Sequence, residues 1–177
     1  MILNHTLKAA LSCAALLVYA SPASAQFARN SKAPITASAD NAGYKGDVTT
    51  LSGQVDVRQD DVRILADLMK IYSARSEENQ EGLGDISRIE AIGNFFYITP
   101  EQEVSGTQGI YESRKNNFTV TGNVILLQGD DNVVTGDELV YNLTTNQATV
   151  TGSCNGRKCG DKGRVNILIK SNEGDRP

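Results

Sequence analysis

Hydrophobic and polar residues alternate along most of the chain after residue 35, and glycines interrupt the alternation. The stretch "GNVILLQGDDNVVTGDELVYN" reads as a strand, a polar bend and a second strand, and "GQVDVRQDDVRILADLMKIY" and "GNFFYITPEQEVSGTQGIY" share this layout. Once the polar stretch from Ser73 to Asp85 is set aside, the glycines recur roughly every thirty residues, a spacing typical of repeat proteins. The glycines that mark the repeat are Gly53, Gly93, Gly122 and Gly152.

The alternation has a period of two, which places the apolar residues of each strand on one face. Mostly apolar side chains stand two and four residues before each glycine and two and four residues after it. The second strand of each unit aligns on Asp67, Thr107 and Asp137, and "ITASADNAGY" around Asp40 supplies one more such strand at the start. The sequence therefore predicts half a unit, three units and then the closing strands "NQATVTGS" and "RVNILIK".

A helix competes with this interpretation in "VRILADLMKIYSARS", where Ile64, Leu68 and Ile71 also fit a helical spacing. The alignment of this stretch with "NVVTGDELVYN", which contains β-branched residues and a glycine, favours a strand. We therefore predict an all-β fold of repeated antiparallel hairpins. Their shared apolar face must be buried, either in a sheet folded over itself or in a solenoid.

The N-terminus has the features of a secretory signal peptide. Lys8 precedes an almost entirely apolar run from Ala9 to Ala20, and Ala23-Ser24-Ala25 matches the small-x-small cleavage motif. We predict that residues 1–25 are removed before Gln26 and that residues 26–34 form a flexible segment. An uncleaved N-terminal anchor is the alternative, although the run is short for a membrane span.

Composition limits the chemistry of the mature chain. The only histidine is His5, inside the predicted signal peptide, so no Ser-His or Cys-His pair and no histidine metal ligand is left. The acidic pairs Asp60-Asp61 and Asp130-Asp131 occupy polar bends, where aspartate hydrogen-bonds the local backbone. We expect no enzyme activity, no metal site and no cofactor. The formal net charge of −4 argues against nucleic acid as a partner.

Cys154 and Cys159 are predicted to form a disulfide. They flank "NGRK", a turn signal between two apolar stretches, and export implies an oxidising compartment. A pair of metal-binding thiols is the alternative, but no further ligands accompany them.

The repeat resembles that of the OstA-like family. The matching features are Gly-x-Val before a Gln-x-Asp bend, followed by Ala-Asp or Gly-Asp and an apolar-x-Tyr ending. The matching stretches are residues 53–71 and 122–141, with "ITASADNAGY" as the leading half. In the middle unit Thr107 replaces the aspartate and Pro100 interrupts the bend. The resemblance extends over most of residues 35–152.

This resemblance implies an open, slightly twisted β-jellyroll over residues 35–170, followed by a polar tail at 171–177. It also implies a periplasmic bridge protein that shelters lipid A acyl chains in an apolar groove and passes lipopolysaccharide from an inner-membrane to an outer-membrane transport complex. The expected partners are lipopolysaccharide, transport proteins with the same fold and further copies of the chain, head to tail. A β-rich structural or scaffolding protein of the envelope is the alternative, since an inner face can simply be a core.

Three sets of residues are candidates for these roles. The inward positions predicted to line the lipid path are Val55, Val57, Phe95, Tyr97, Phe118, Val120, Val124, Leu126, Val134 and Leu139. The edge strands predicted to mediate assembly contain Ile35, Ala37, Val165, Ile167 and Ile169. The basic residues proposed to meet lipid phosphates are Arg58, Arg63 and Lys70.

Overall fold

The computed structural model of the protein consists almost entirely of antiparallel strands. It describes residues 31, 33–74, 85–129, 132–145, 147–154, 156, 159 and 163–169. The predicted signal peptide, the C-terminal tail and most of the segment 26–34 lie outside the described residues. The strands are β1 (Thr36–Ser38), β2 (Asn41–Lys45), β3 (Val48–Gln59), β4 (Val62–Ala74), β5 (Asp85–Ile98), β6 (Gln102–Glu112), β7 (Asn117–Gln128), β8 (Asn132–Asn142), β9 (Gln147–Thr151) and β10 (Asn166–Leu168).

Each long strand pairs with the strand next to it in sequence, from β3 through β8, and a short 3-10 helix at Ser113–Lys115 joins β6 to β7. Two short strands flank each end of this ribbon: β1 and β2 both pair with β3, and β9 and β10 both pair with β8. The all-β prediction is confirmed. The stretch in which a helix competed forms β4.

The repeat glycines lie where the long strands bend. At each bend a glycine and the residue after it have positive φ, and the pairing register shifts there. Such two-residue interruptions are β-bulges, which kink a strand and increase its twist. The φ values are 79° and 45° at Gly53 and Gln54, 76° and 41° at Gly93 and Asn94, and 82° and 50° at Gly122 and Asn123.

The bends divide the sheet into two halves. Half A contains β2, β9 and residues 48–52, 68–74, 85–92, 108–112, 117–121 and 138–142. Half B contains β1, β10 and residues 55–59, 62–66, 95–98, 102–106, 124–128 and 132–136.

The two halves pack against each other through the faces that we call inner. The ring of Phe118 in half A lies 5.3 Å from the ring of Phe95 and 5.1 Å from that of Tyr97, both in half B, measured between centroids. One buried cluster includes residues of both halves, from Leu51 to Leu139. The sheet is therefore folded over itself at the glycine bends, and its core lies inside the fold.

The aligned residue of each second strand contacts the bend of the strand that follows it. The side chain of Asn94 donates hydrogen bonds to Asp67, with nitrogen–oxygen distances of 2.9 and 3.1 Å. Thr107 donates to the carbonyl oxygen of Gly122 at 3.2 Å, so the residue that replaces the aspartate still reaches the bend. In each unit, the residue at the aspartate position therefore contacts the glycine bend of the next strand, and we call this the corner contact.

The last repeat strand is split in two. β9 ends just before Gly152, and β10 begins after Gly163, which has a φ of 66° like the other bend glycines. The excursion between them is closed at its base, where the backbone N–H of Cys154 donates to the carbonyl oxygen of Gly163 at 2.7 Å. The predicted disulfide is confirmed: Cys154 and Cys159 are bonded within this excursion, with their Cα atoms 6.1 Å apart.

Candidate functional site

The ten residues predicted to line a lipid path all point to the inner face. Nine of them are buried, and Val134 is partly buried against the same cluster. Phe95, Val120 and Leu139 have no exposed surface at all. In this structure, therefore, most of these side chains contact one another, and lipid contact stays a prediction for them.

The inner face opens at the C-terminal end of the sheet. A cavity of about 370 Å³ lies there between half A and half B. Its lining residues are Gln102, Leu126, Gln128, Val134, Tyr141, Ala148, Val150, Val165 and Ile167. The cavity therefore joins two of the predicted groove residues to two of the predicted edge residues in one space, which Gln102 and Gln128 also line.

Three residues that the sequence did not single out also line this cavity: Tyr141, Ala148 and Val150. A signal for them was present, because they occupy inward positions of the repeat. Tyr141 stands four residues after Asp137, and Val150 stands two residues before Gly152. What the sequence lacks is the fold of half A over half B, which brings Val150 close to Ile167.

The predicted edge residues lie in or beside the outermost strands of half B. Ala37 is in β1 and Ile167 is in β10, while Ile35, Val165 and Ile169 flank these strands. Their side chains are exposed, Ile167 by 64% and Ile169 by 74%. Half A has edges of its own in β2 and β9, which are not among the predicted edge strands, and Tyr44 in β2 is 74% exposed.

The three basic candidates for phosphate binding point to the outer face. Arg58, Arg63 and Lys70 alternate with inward residues such as Val57 and Ile64, and alternate side chains of a strand point to opposite faces. Their position therefore does not support contact with lipid phosphates in the groove.

Both arginines bind the carboxylate of Asp56 instead. Arg63 donates to its two oxygens at 3.0 and 2.7 Å, and Arg58 donates at 3.1 and 2.9 Å. The hydrogen bonds from Arg63, then those from Arg58, hold the pKa of Asp56 far below its usual range, against the opposing effect of burial. This cluster ties β3 to β4 on the outside of half B.

Asp56→Asn should lower the stability of the protein at neutral pH and lose this effect in acid. Because the folded-state pKa of Asp56 is depressed, its contribution is full above the unfolded-state value of about 3.9 and is lost as pH falls toward the folded-state value. Urea unfolding at several pH values between 2 and 7 should show that the difference in free energy of unfolding between wild type and variant disappears below about pH 4. A difference that stays constant down to pH 2 would contradict this account, and so would an equal difference for Asp61→Asn in the adjacent turn.

The described part of the chain holds no group of three or more His, Cys, Asp or Glu side chains that could bind a metal ion. Within the same residues, no helix has the length and apolar character needed to cross a membrane.

Comparison with known proteins places this geometry in a family. The family model described as LptA/(LptD N-terminal domain) LPS transport protein matches residues 34–147. The fold is similar to that of LptH from Pseudomonas aeruginosa, described as the LptA homologous periplasmic component of the conserved lipopolysaccharide transport device. The two chains are 17% identical, with a TM-score of 0.63, over 78% of this chain and 96% of that chain. At this identity the likeness shows a common fold. No curated protein matches the chain.

The predicted OstA-like resemblance and the β-jellyroll are both confirmed by these matches. The matched residues extend from just before β1 to the start of β9, which is more than half of the chain. This chain therefore belongs to the family of LptA and LptD N-terminal domain lipopolysaccharide transport proteins.

Proposed function

We propose that this protein is a periplasmic bridge protein that binds lipopolysaccharide and passes it from an inner-membrane to an outer-membrane transport complex. Membership of the transport family supports this role, and so does the likeness to a periplasmic component of such a device. The observation that carries the proposal for this chain is the cavity at the C-terminal end, where Leu126, Val134 and Val150 are among the lining residues. Its volume of about 370 Å³ is within the usual range for ligand sites.

The task of the cavity is to keep acyl chains away from water. Exposing a chain of a dozen carbons costs on the order of 10 kcal/mol, at about 0.8 kcal/mol per CH₂ group. Leu126, Val134 and Val150 offer an apolar surface at which part of this cost is avoided. We therefore place the first contact with lipid A at this opening and not at Phe95, which has no exposed surface.

Movement of lipid further along the inner face requires the two halves to separate. Within the described residues, half A and half B are joined through the strand bends, and their inner faces otherwise meet only through side chains. We propose that separation at the bends exposes the buried apolar residues to the acyl chains. In this proposal the protein performs no covalent chemistry, and other components of the transport machinery supply the energy.

Head-to-tail assembly follows from the order of strands. Among the described strands, the first are β1 and β2, which flank Asp40 at the aspartate position of the repeat. The last are β9 and β10, which flank the glycine positions Gly152 and Gly163. Strands with the aspartate position alternate with strands with the glycine position across the sheet, so a second copy placed beyond β9 and β10 would continue this order. The same argument applies to transport proteins with the same fold at either membrane, whose edges would extend the sheet in this way.

Lipid capture tests the proposed site. A photo-crosslinking amino acid at Val134, inside the cavity, should capture lipopolysaccharide in cells that make it. The same amino acid at Val133, the next residue and on the outer face, should not. Val150 and Thr149 on β9 form a second matched pair. Equal capture within both pairs would contradict the assignment of the cavity.

A structural protein of the envelope is the second candidate function. The close packing of nine of the ten inner residues favours it, because a packed core needs no ligand. If a folded protein with the crosslinking amino acid at Val134 or Val150 captures no lipopolysaccharide, the structural role is supported over lipid binding.

A further inference from the structure

A second cavity, of about 500 Å³, lies on the outer face of half B beside the bends, and we call it the outer trough. Its floor is a row of paired residues that crosses four strands. Ser38 in β1 pairs with Asp56 in β3. Asp56 pairs with Leu65 in β4, which in turn pairs with Phe96 in β5. Because neighbouring strands lie about 4.8 Å apart, this floor is about 14 Å long.

Residues at the bends form one wall of the outer trough. Gln54 and Asn94 each follow a bend glycine, with φ values of 45° and 41°, and Asp67 is the residue of the corner contact with Asn94. All three residues are exposed. The side-chain nitrogen of Asn94 donates to both carboxylate oxygens of Asp67, at 3.1 and 2.9 Å. The amide is thereby held in one orientation, in which its carbonyl oxygen can accept a hydrogen bond from a ligand.

Arg63 forms the wall on the side away from the bends. It stands two residues before Leu65 on the same face of β4, and its guanidinium donates to the carboxylate of Asp56 at 3.0 and 2.7 Å. The side chain of Arg63 is 42% exposed and that of Asp56 is 17% exposed. This ion pair fixes polar groups of the trough before any ligand arrives, which lowers the entropic cost of binding.

The charges of the lining argue against an anionic ligand. Asp56 and Asp67 are carboxylates, and Arg63, the basic residue among the lining side chains, is already paired with Asp56. An acyl chain is disfavoured as well, because the amides of Gln54 and Asn94 would lose hydrogen bonds to water and gain none in return. A neutral ligand with many hydrogen-bonding groups suits this lining.

The floor also offers an apolar surface. Leu65 and Phe96 provide it, and Val55 and Ala66 add to the lining. A sugar ring has hydroxyl groups around its rim and an apolar face of C–H groups, so it can lie on this surface while its hydroxyls meet amides and carboxylates. An extended peptide typically binds along the edge of a strand, whereas the outer trough runs across strands. The lining therefore favours a carbohydrate over a peptide.

We propose that the outer trough binds a short oligosaccharide, with Phe96 against the apolar face of a sugar ring and Asn94 hydrogen-bonded to its hydroxyl groups. This site goes beyond the lipid-binding function proposed above, because it lies on the opposite face of the sheet from the inner cavity. In the periplasm, two sources share the required chemistry: the sugars of lipopolysaccharide and the glycan strands of the cell wall.

Titration of the mature protein with two probes, followed by calorimetry, tests the site. One probe is cell-wall glycan strands freed of their peptides, and the other is lipopolysaccharide with its acyl chains removed. Asn94→Gly tolerates the positive φ but removes the amide, and it should raise the Kd of the bound probe about 5-fold. Asn123→Gly makes the same change at the next bend, outside the outer trough, and should leave the Kd unchanged.

A second pair of variants tests the apolar surface. Phe96→Ala removes the aromatic ring from the floor and should raise the Kd about 10-fold. Ile98→Ala removes an apolar side chain from the same face of β5, two residues further along and outside the lining, and should leave the Kd unchanged. Urea unfolding establishes that each variant is folded.

Binding of either probe with these losses supports the site, and the probe that binds identifies the source of the sugar. No binding of either probe to the folded wild type overturns the proposal, and so does binding that Asn94→Gly and Phe96→Ala leave unchanged. Tighter binding of the free cell-wall peptides than of the glycan strands also overturns it, in favour of a peptide site. Lipid capture at Val134 is a separate measurement, so the failure of one proposal leaves the other intact.

Discussion

Phe95→Ala should lower the free energy of unfolding by about 3–5 kcal/mol, the usual cost of removing a fully buried aromatic ring. Phe95 has no exposed surface, and its ring packs 5.3 Å from that of Phe118 in the other half of the sheet. Neither half can easily collapse into the space, because Gly109 beside the ring has no side chain to fill it. Urea unfolding monitored by circular dichroism measures the change.

Phe96→Ala is the matched control for this variant. Phe96 is the next residue on the same strand, half-buried on the outer face, so its loss should cost about 1 kcal/mol. The two substitutions remove the same number of atoms and differ only in the face they alter. Equal losses of stability would show that the inner and outer faces of β5 are wrongly assigned.

Gly93→Ala should destabilise the protein by about 2–4 kcal/mol for two reasons that add. Gly93 has a φ of 76°, a conformation that is costly for a residue with a Cβ atom. An added Cβ would also overlap Oδ2 of Asp67 and lie about 3.0 Å from its Cγ and 3.1 Å from its Cβ. The substitution therefore disturbs both the bend and its corner contact.

Two other glycines separate these reasons. Gly129 has a φ of 60° with nothing within 4 Å of an added Cβ, so Gly129→Ala should cost only about 1–2 kcal/mol. Gly43 has neither a positive φ nor a close neighbour, and Gly43→Ala should stay within about 0.5 kcal/mol of wild type. If Gly93→Ala lowers the free energy of unfolding no more than Gly129→Ala does, the overlap with Asp67 adds nothing to the cost of the substitution.

These stability predictions bear on how the lipid site can be tested. Most of the proposed lipid-path residues also form the core, so replacing one of them changes folding and any lipid binding together. Crosslinkers at neighbouring inner and outer positions avoid this difficulty, because both members of a pair disturb the same strand. Partly exposed positions around the cavity, such as Val134, are therefore better probes than Phe95.

The sequence by itself determined the strands, their faces and the cysteine pair. Alternation with a period of two assigns each side chain of a strand to one face from local information alone. For the same reason Phe95, Val120 and Leu139 could be assigned to the interior from the repeat alignment. Cys154 and Cys159 are close in sequence on either side of a turn signal, so their pairing needed no knowledge of distant parts of the chain.

Only the tertiary structure decided which faces meet and what they leave open. The bends at Gly53, Gly93 and Gly122 fold half A onto half B, and that contact joins residues far apart in sequence, which no local pattern reports. It closes most of the inner face into a core and leaves a cavity near Val150 and Ile167.

The position of charge was also a tertiary outcome. Arg58 and Arg63 were expected near lipid phosphates because of their charge, but their place on the strands turns them outward, where Asp56 lies within hydrogen-bond distance of both. Each end of the sheet has two edge strands, one in half A and one in half B, because the bends turn the two halves in different directions. The local alternation determines which face of the sheet a side chain is on, whereas the bends determine which residues of the other half it contacts.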